Sequence, residues 1–172
     1  MSTIIVRSRA DADGPALGAL AAVVQERDGY PPHLPGDEAG AFILDGEPLA
    51  AWVATDGDAV VGHVALHDHS SPGVLDLVAD GVGVAPDGCG VVARLFVTPD
   101  LRRSGLGRRL LDIAVAECRR LGLLPVLDVV DRFEAAIALY EHVGWRRLGA
   151  VEFDIGDDRM LREYVYVLDP PA

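Results

Sequence analysis

The sequence contains no lysine and no asparagine, and only two of its 172 residues are cysteines. Apart from the N-terminus and the histidines, all positive charge at neutral pH is therefore arginine. The formal net charge of -12 argues against nucleic acid or an anionic membrane surface as the main partner, because both need a broad basic surface. Cys89 and Cys118 are too few for a disulfide framework and lack metal-ligand spacing, so we expect free thiols.

Long apolar runs are also missing. No run approaches the ~18 residues that a membrane span needs, and the early segment "ALGALAAVV" follows Asp11 and Asp13 rather than a basic stretch. We therefore expect a cytoplasmic protein. Because 50% of the residues are hydrophobic, residues 1–172 are predicted to form a single domain with its own core.

The hydrophobic pattern predicts a mixed α/β sheet. The order is strand, helix, hairpin, strand, helix, strand, helix, strand, strand. Residues 30–40, "YPPHLPGDEAG", are predicted to be a loop because they are rich in proline and glycine, and "GVLDLVAD" is predicted to be a short helix. Residues 91–97, 105–121 and 123–130 form the central strand-helix-strand crossover, and its two strands should be parallel.

The segment "DLRRSGLGRRLL" lies between the first strand and the helix of this crossover. Glycines let backbone N–H groups approach an anion, and a helix N-terminus directs partial positive charge at it. Four interpretations are open: a plain turn, a dinucleotide site, a Walker loop and a coenzyme A pyrophosphate site. The dinucleotide site lacks its third glycine, and the Walker loop needs a lysine.

Two motifs together resemble the GNAT superfamily of acyl-CoA-dependent N-acetyltransferases. Arg102, Gly105 and Gly107 match its Arg/Gln-x-x-Gly-x-Gly/Ala motif, and "LYEHVGW", from Leu139 to Trp145, matches its Leu-Tyr-x-x-x-Gly-Phe/Trp motif. The resemblance implies a mixed sheet of about seven strands flanked by about four helices. It also implies acetyl-CoA as co-substrate.

The resemblance places the co-substrate on the loop and on the strand before it. The backbone of Phe96 and Val97 would pair with the pantetheine arm, and Phe133 stands where many members carry an asparagine that contacts the cofactor. The pyrophosphate would be held by the loop, through backbone N–H groups and arginine charge. The expected loop contacts are Arg102, Arg103, Ser104, Gly105, Leu106, Gly107 and Arg108.

Tyr140 is the expected general acid. A phenol with a reference pKa of ~10 stays protonated until a thiolate with a reference pKa of ~8.5 forms. The alternative role for Tyr140 is that of a core tyrosine. The resemblance favours the catalytic role.

The general base is open between Asp128, a histidine and water. His63, His67 and His69 follow at even spacing and would share one face of a strand that extends this far. A substrate-facing histidine such as His67 is favoured over a metal site, because no fourth ligand is evident. We therefore expect no metal.

These features together predict acetyl transfer from acetyl-CoA to a primary amine by direct attack. The acceptor is a small amine or a protein amine, and neither cysteine is placed to form an acyl-enzyme. The alternative is a non-catalytic acyl-CoA-binding or regulatory module that has lost turnover. The protein is expected to be a monomer or a homodimer.

Overall fold

The computed structural model describes residues 3–32, 34 and 36–171. In these residues the chain forms seven strands and five α-helices. They are β1 (Ile4–Ser8), α1 (Gly14–Asp28), α2 (Gly36–Leu44), β2 (Ala50–Asp56), β3 (Ala59–His67), α3 (Val74–Val82), β4 (Cys89–Val97), α4 (Leu106–Arg120), β5 (Leu124–Val130), α5 (Glu134–His142), β6 (Arg146–Asp154) and β7 (Met160–Val167).

The strands make one mixed sheet in the order β1-β2-β3-β4-β5-β7-β6. β4 and β5 are parallel, from Cys89 opposite Leu124 to Val91 opposite Val126. The β1–β2, β2–β3, β5–β7 and β6–β7 pairs are antiparallel. The predicted fold class, the hairpin and the parallel crossover are therefore confirmed.

The interpretation of residues 30–40 as a loop is wrong in its second half. α2 begins at Gly36 and continues to Leu44, so five helices are present where the resemblance implied about four. Ala39 and Ile43 are both fully buried and lie four residues apart, which gives α2 an apolar face for the core. His33 and Pro35 lie outside the described residues.

The described residues fall into two compact units. The first contains the chain up to Leu66 together with Arg94–Ala114, and the second contains His67–Ala93 together with residues 115–171. The interpretation of residues 1–172 as a single domain stays a prediction.

The first unit has its core around α1 and α2. The two helices approach each other so closely that a Cβ atom on Gly40 would lie 2.8 Å from the Cα atom of Gly18. Glycine is therefore required at this crossing. The core residues are Leu17, Leu20, Ala21, Val24, Ala39, Ile43, Val53 and Phe96.

The second unit has its core between α3 and one face of β5 and β7. The short helix predicted in this region is confirmed as α3. Its buried residues Val74 and Val78 pack with Val126, Val165 and Val167. Because side chains alternate along a strand, Asp128 shares the face of Val126, and Glu163 shares the face of Val165.

Among the described residues, no helix combines the length and the apolar character required to cross a bilayer.

Candidate active site

The glycine-containing loop after β4 belongs to the first unit and turns directly into α4. Arg103 and Gly105 both have left-handed backbone conformations, with φ of 61° and 84°. A Cβ atom on Gly105 would meet nothing within 4 Å, so glycine is needed there for its conformation and not for lack of space. The two left-handed residues fold the chain back so that the loop runs into the start of α4.

The start of α4 offers backbone donors to an anion. The hydroxyl of Ser104 accepts a hydrogen bond from the N–H of Leu106 at 3.3 Å, and the N–H of Arg109 donates to the carbonyl of Gly105 at 3.0 Å. Within the described chain, the N–H groups of Gly107 and Arg108 have no such acceptor. Free N–H groups at a helix N-terminus fit a phosphate group.

The arginines of the loop differ in what they contact. Arg102 donates to the carboxylate of Asp28 at 2.8 Å, and Arg108 donates to Asp112 one turn along α4 at 2.9 Å. Arg103 is exposed and makes no ion pair or side-chain hydrogen bond with any described residue. Of the three arginines, Arg103 therefore carries the charge that is available to a ligand without breaking an existing contact.

An open cavity of about 150 Å³ lies beside this loop. It is lined by Ile4, Ser104, Gly105, Leu106 and Arg109. Arg109 donates to the carbonyl of Ile4 at 3.0 Å and so joins α4 to β1. The cavity and the free N–H groups belong to the same short stretch of chain.

β4 contains a left-handed residue two positions before Phe96, the first of the two residues expected to pair with the pantetheine arm. Arg94 has a left-handed φ of 55°, and its guanidinium donates to the carbonyl groups of Ile43 and Asp45 at the end of α2. Phe96 is buried in the core of the first unit, while Val97 is partly exposed. The pairing of their backbone with a ligand stays a prediction.

His63 is a buried structural histidine. Its Nδ1 lies 2.9 Å from the carbonyl of Arg94, and its Nε2 lies 3.3 Å from a guanidinium nitrogen of Arg9. Since a carbonyl only accepts and a guanidinium only donates, these two contacts fit the tautomer that carries its proton on Nδ1.

Tyr140, in the second unit, is buried at 8% exposure near the end of α5. The centre of its ring lies 6.2 Å from the ring centre of Trp145 and 6.3 Å from that of Tyr166. Burial, and secondly the charge of Asp128, raise the pKa of its hydroxyl above the ordinary value. That hydroxyl makes no hydrogen bond with the rest of the described chain, so it is free to donate to a ligand.

Asp128 is partly exposed on β5 and is held from the segment after β3. The hydroxyl of Ser70 donates to one oxygen of Asp128 at 2.5 Å. Both Asp128 and Tyr140 belong to the second unit, and the charge of Asp128 contributes to the raised pKa of Tyr140.

Glu163 completes a carboxyl pair with Asp128 and was not predicted from the sequence. It is 6% exposed, and its carboxyl group lies within hydrogen-bonding range of Asp128. Burial first, and then Asp128, raise its pKa from 4.5 to about 8. The signal in the sequence was a glutamate at an inward position of an alternating strand, where Leu161, Val165 and Val167 are apolar.

The histidines near the end of β3 offer less to a substrate. His67 is 2% exposed, and its ring lies edge-on to that of His69 at 5.0 Å. His69 lies beyond β3 and contacts Asp68 at 2.9 Å. No group of three or more His, Cys, Asp or Glu that could hold a metal ion is found in residues 3–32, 34 and 36–171.

Phe133 lies at the start of α5, and the two cysteines are buried. Phe133 is the residue before the first turn of α5, with the guanidinium of Arg132 5.5 Å from its ring centre. Its contact with a cofactor stays a prediction. Cys89 and Cys118 are free and buried, and burial raises the pKa of Cys118 to about 12. At neutral pH these thiols are poor nucleophiles.

Comparison with known proteins places this geometry among acetyltransferases. The family model "Acetyltransferase (GNAT) family" matches residues 20–145. A mycothiol acetyltransferase from Geodermatophilus obscurus is 35% identical over 104 residues, which cover 59% of this chain and 30% of that protein. The chain thus matches less than a third of this relative's length.

Solved structures share the fold. NAA60 from Arabidopsis thaliana in complex with acetyl-CoA has a TM-score of 0.72 at 18% identity, covering 96% of this chain and 97% of that one. The ribosomal-protein-S18-alanine N-acetyltransferase from Escherichia coli has a TM-score of 0.68 at 20% identity, covering 96% and 93%.

Proposed function

Because the chain belongs to the GNAT family of acetyltransferases, we propose that it transfers an acetyl group from acetyl-CoA to a primary amine by direct attack. The observation that carries the proposal is the family match, which spans both the Gly105 loop and Tyr140. The acceptor is a small amine or the amine of a protein.

The loop after β4 is proposed to bind the pyrophosphate of acetyl-CoA. The N–H groups of Gly107 and Arg108 and the guanidinium of Arg103, which have no partner among the described residues, support this role because all three favour an anion. Ser104, Gly105 and the helix start set the shape of the loop. Arg102 contributes charge only if it leaves Asp28.

Tyr140 is proposed as the general acid. When the amine attacks the thioester carbonyl, the C–N bond forms and the C–S bond breaks, and the departing thiolate takes the phenolic proton. The phenolate left on Tyr140 then takes the second proton, which the nitrogen loses as it becomes an amide. The raised pKa keeps the phenol protonated until that moment. Its hydroxyl has no competing hydrogen bond to another described residue.

Asp128 is proposed as the general base, ahead of His67. The acceptor arrives as an ammonium ion, and one proton must leave before its nitrogen can attack. The partial exposure of Asp128 and its hydrogen bond from Ser70 support this role, whereas both ring nitrogens of His67 are buried.

The first test is calorimetric titration of the protein with acetyl-CoA, with dephospho-CoA and NAD as comparison ligands. We expect micromolar binding of acetyl-CoA and no binding of NAD. Absence of acetyl-CoA binding would refute the role of the loop. A bound complex without turnover for any amine would instead favour the non-catalytic acyl-CoA-binding module.

The acceptor screen follows from the relatives. The structurally similar protein from Escherichia coli is a ribosomal-protein-S18-alanine N-acetyltransferase, so the panel includes a peptide that begins with alanine. Benzylamine represents small amines. Thiol release from acetyl-CoA gives the rate, and the mass of the acceptor identifies the product.

A further inference from the structure

Two carboxyl groups lie side by side on the inner face of β5 and β7. Asp128 is opposite Val165, and Glu163 is opposite Val130, which makes the two acids diagonal neighbours on one face. The carboxyl groups are within hydrogen-bonding range of each other. Asp128 is partly exposed, whereas Glu163 is buried.

The surroundings of Glu163 fit a neutral acid better than an anion. Its Oε2 atom is buried and accepts no hydrogen bond from the described residues. α3 presents Val74 and Val78 to the same face, and neither can compensate a charge. A buried carboxylate oxygen without a donor costs free energy, and protonation removes this cost.

Polar and titratable groups from neighbouring segments lie near the pair. Ser70 donates to Asp128, and the hydroxyl of Ser71 is the group that favours the ionised form of Glu163. The charge of Asp128 contributes to the raised pKa of Tyr140 on α5. His67 and His69 are the titratable groups at the end of β3 and in the segment after it.

We propose that Glu163 is a positioning residue that holds a proton against Asp128, so that the pair carries one negative charge and directs Asp128 as the base toward the acceptor ammonium. This inference rests on the proposed function. Asp128 takes one proton from the ammonium, the neutral amine then attacks the thioester, and the pair holds two protons until one is released to solvent. A shared proton makes the pair, and not one residue, the titrating unit.

The protonation of Glu163 is tested directly by ¹³C NMR of side-chain carboxyl groups, with Glu163→Gln to assign its signal. We expect the chemical shift of a protonated acid at pH 7 and a midpoint near pH 8. Asp128→Asn should lower this midpoint by about one pH unit or more, because it removes the adjacent charge. A signal of an ionised carboxylate at pH 7, or a midpoint that Asp128→Asn leaves unchanged, would overturn the proposal.

The activity arm uses thiol release with benzylamine and the alanine peptide. Asp128→Asn should lower kcat about tenfold or more. Glu163→Gln keeps a neutral donor beside Asp128, so kcat should stay within about threefold at pH 7, while the inflection of the kcat profile near pH 8 disappears. Glu163→Leu removes the donor and should lower kcat about tenfold with an unchanged KM for acetyl-CoA.

The two arms separate the possible failures. Glu152→Gln changes an exposed glutamate on β6 and should leave both the titration and the rates unchanged. If Glu163→Leu matches the wild type in kcat and in pH profile, Glu163 has no positioning role. If no amine is acetylated by the wild type, the proposed function fails, and the NMR titration still decides whether the pair shares a proton.

Discussion

Glu163→Gln should change how the stability of the protein depends on pH. Burial holds the pKa of Glu163 at about 8, against 4.5 for an ordinary glutamate. Folding therefore takes up a proton at every pH between these values. The free energy of unfolding of the wild type must fall as pH rises through this window, because the folded state binds the extra proton.

The size of the effect follows from the shift. One proton contributes a slope of about 1.4 kcal/mol per pH unit, and the slope fades as the pH approaches the pKa of the folded state. Integrated from pH 6 to pH 8, the loss is about 2 kcal/mol. Glutamine cannot ionise, so the free energy of unfolding of the variant lacks this dependence on pH. As the pH rises from 6 to 8, the variant should therefore gain about 2 kcal/mol of stability relative to the wild type.

The assay is urea unfolding at several pH values, followed by the fluorescence of the two tryptophans, one of which is the buried Trp145 in the second unit. The difference in free energy of unfolding between wild type and Glu163→Gln should move by about 2 kcal/mol from pH 6 to pH 8. Glu152→Gln is the matched control and should show no such trend. A difference for Glu163→Gln that stays constant over this range would show that Glu163 is ionised in the folded protein.

Three further variants test the loop, the acid and the helix crossing. Gly105→Val should weaken acetyl-CoA binding at least about tenfold in calorimetry. The control Gly122→Val introduces the same left-handed strain just after α4 and should leave the affinity unchanged. Equal affinities of the two variants for acetyl-CoA would exclude the loop from the binding site. Tyr140→Phe should cut turnover about tenfold or more with nearly intact acetyl-CoA affinity, and unchanged turnover would remove this hydroxyl from the mechanism. Gly40→Ala should lower the free energy of unfolding by about 1–3 kcal/mol because its Cβ would lie 2.8 Å from the α1 backbone. In the control Gly14→Ala, the new Cβ atom meets only a side-chain methyl group at 3.6 Å, so the free energy of unfolding should not fall in this way. Similar losses of stability in Gly40→Ala and Gly14→Ala would contradict the close crossing of α1 and α2.

Elements with a strong period were predictable from the sequence. The central crossover has an apolar strand, a helix with one apolar face and a second apolar strand, and these became β4, α4 and β5 with parallel pairing. The hairpin of β2 and β3 and the closing strands β6 and β7 were equally clear. Their turns contain glycine and aspartate, which mark the ends of strands.

α2 was missed because local signals conflicted. Proline and glycine in "YPPHLPGDEAG" favour a loop, and the burial that stabilises the helix comes from packing against α1. The stripe of Ala39 and Ile43 has only two members in the helix, too few to outweigh the proline and glycine signal. Tertiary packing decided this segment.

Candidate site residues that belong to a sequence motif were predicted. The one that depends only on how the strands pack together was missed. Arg102, Gly105 and Tyr140 are defined positions of the two motifs. Glu163 depends on the register that places β7 beside β5, and the sequence order gives no indication of that neighbour. A charged residue at an inward strand position was the available clue.

The central claim is tested most directly by supplying acetyl-CoA with a ¹³C-labelled acetyl group and following the label into the amine panel by mass spectrometry. The account predicts that one labelled amide forms for each thiol released, and that Tyr140→Phe slows both together. Acetyl-CoA that binds while the label stays on the thioester with every amine, at equal rates in wild type and variant, would contradict it.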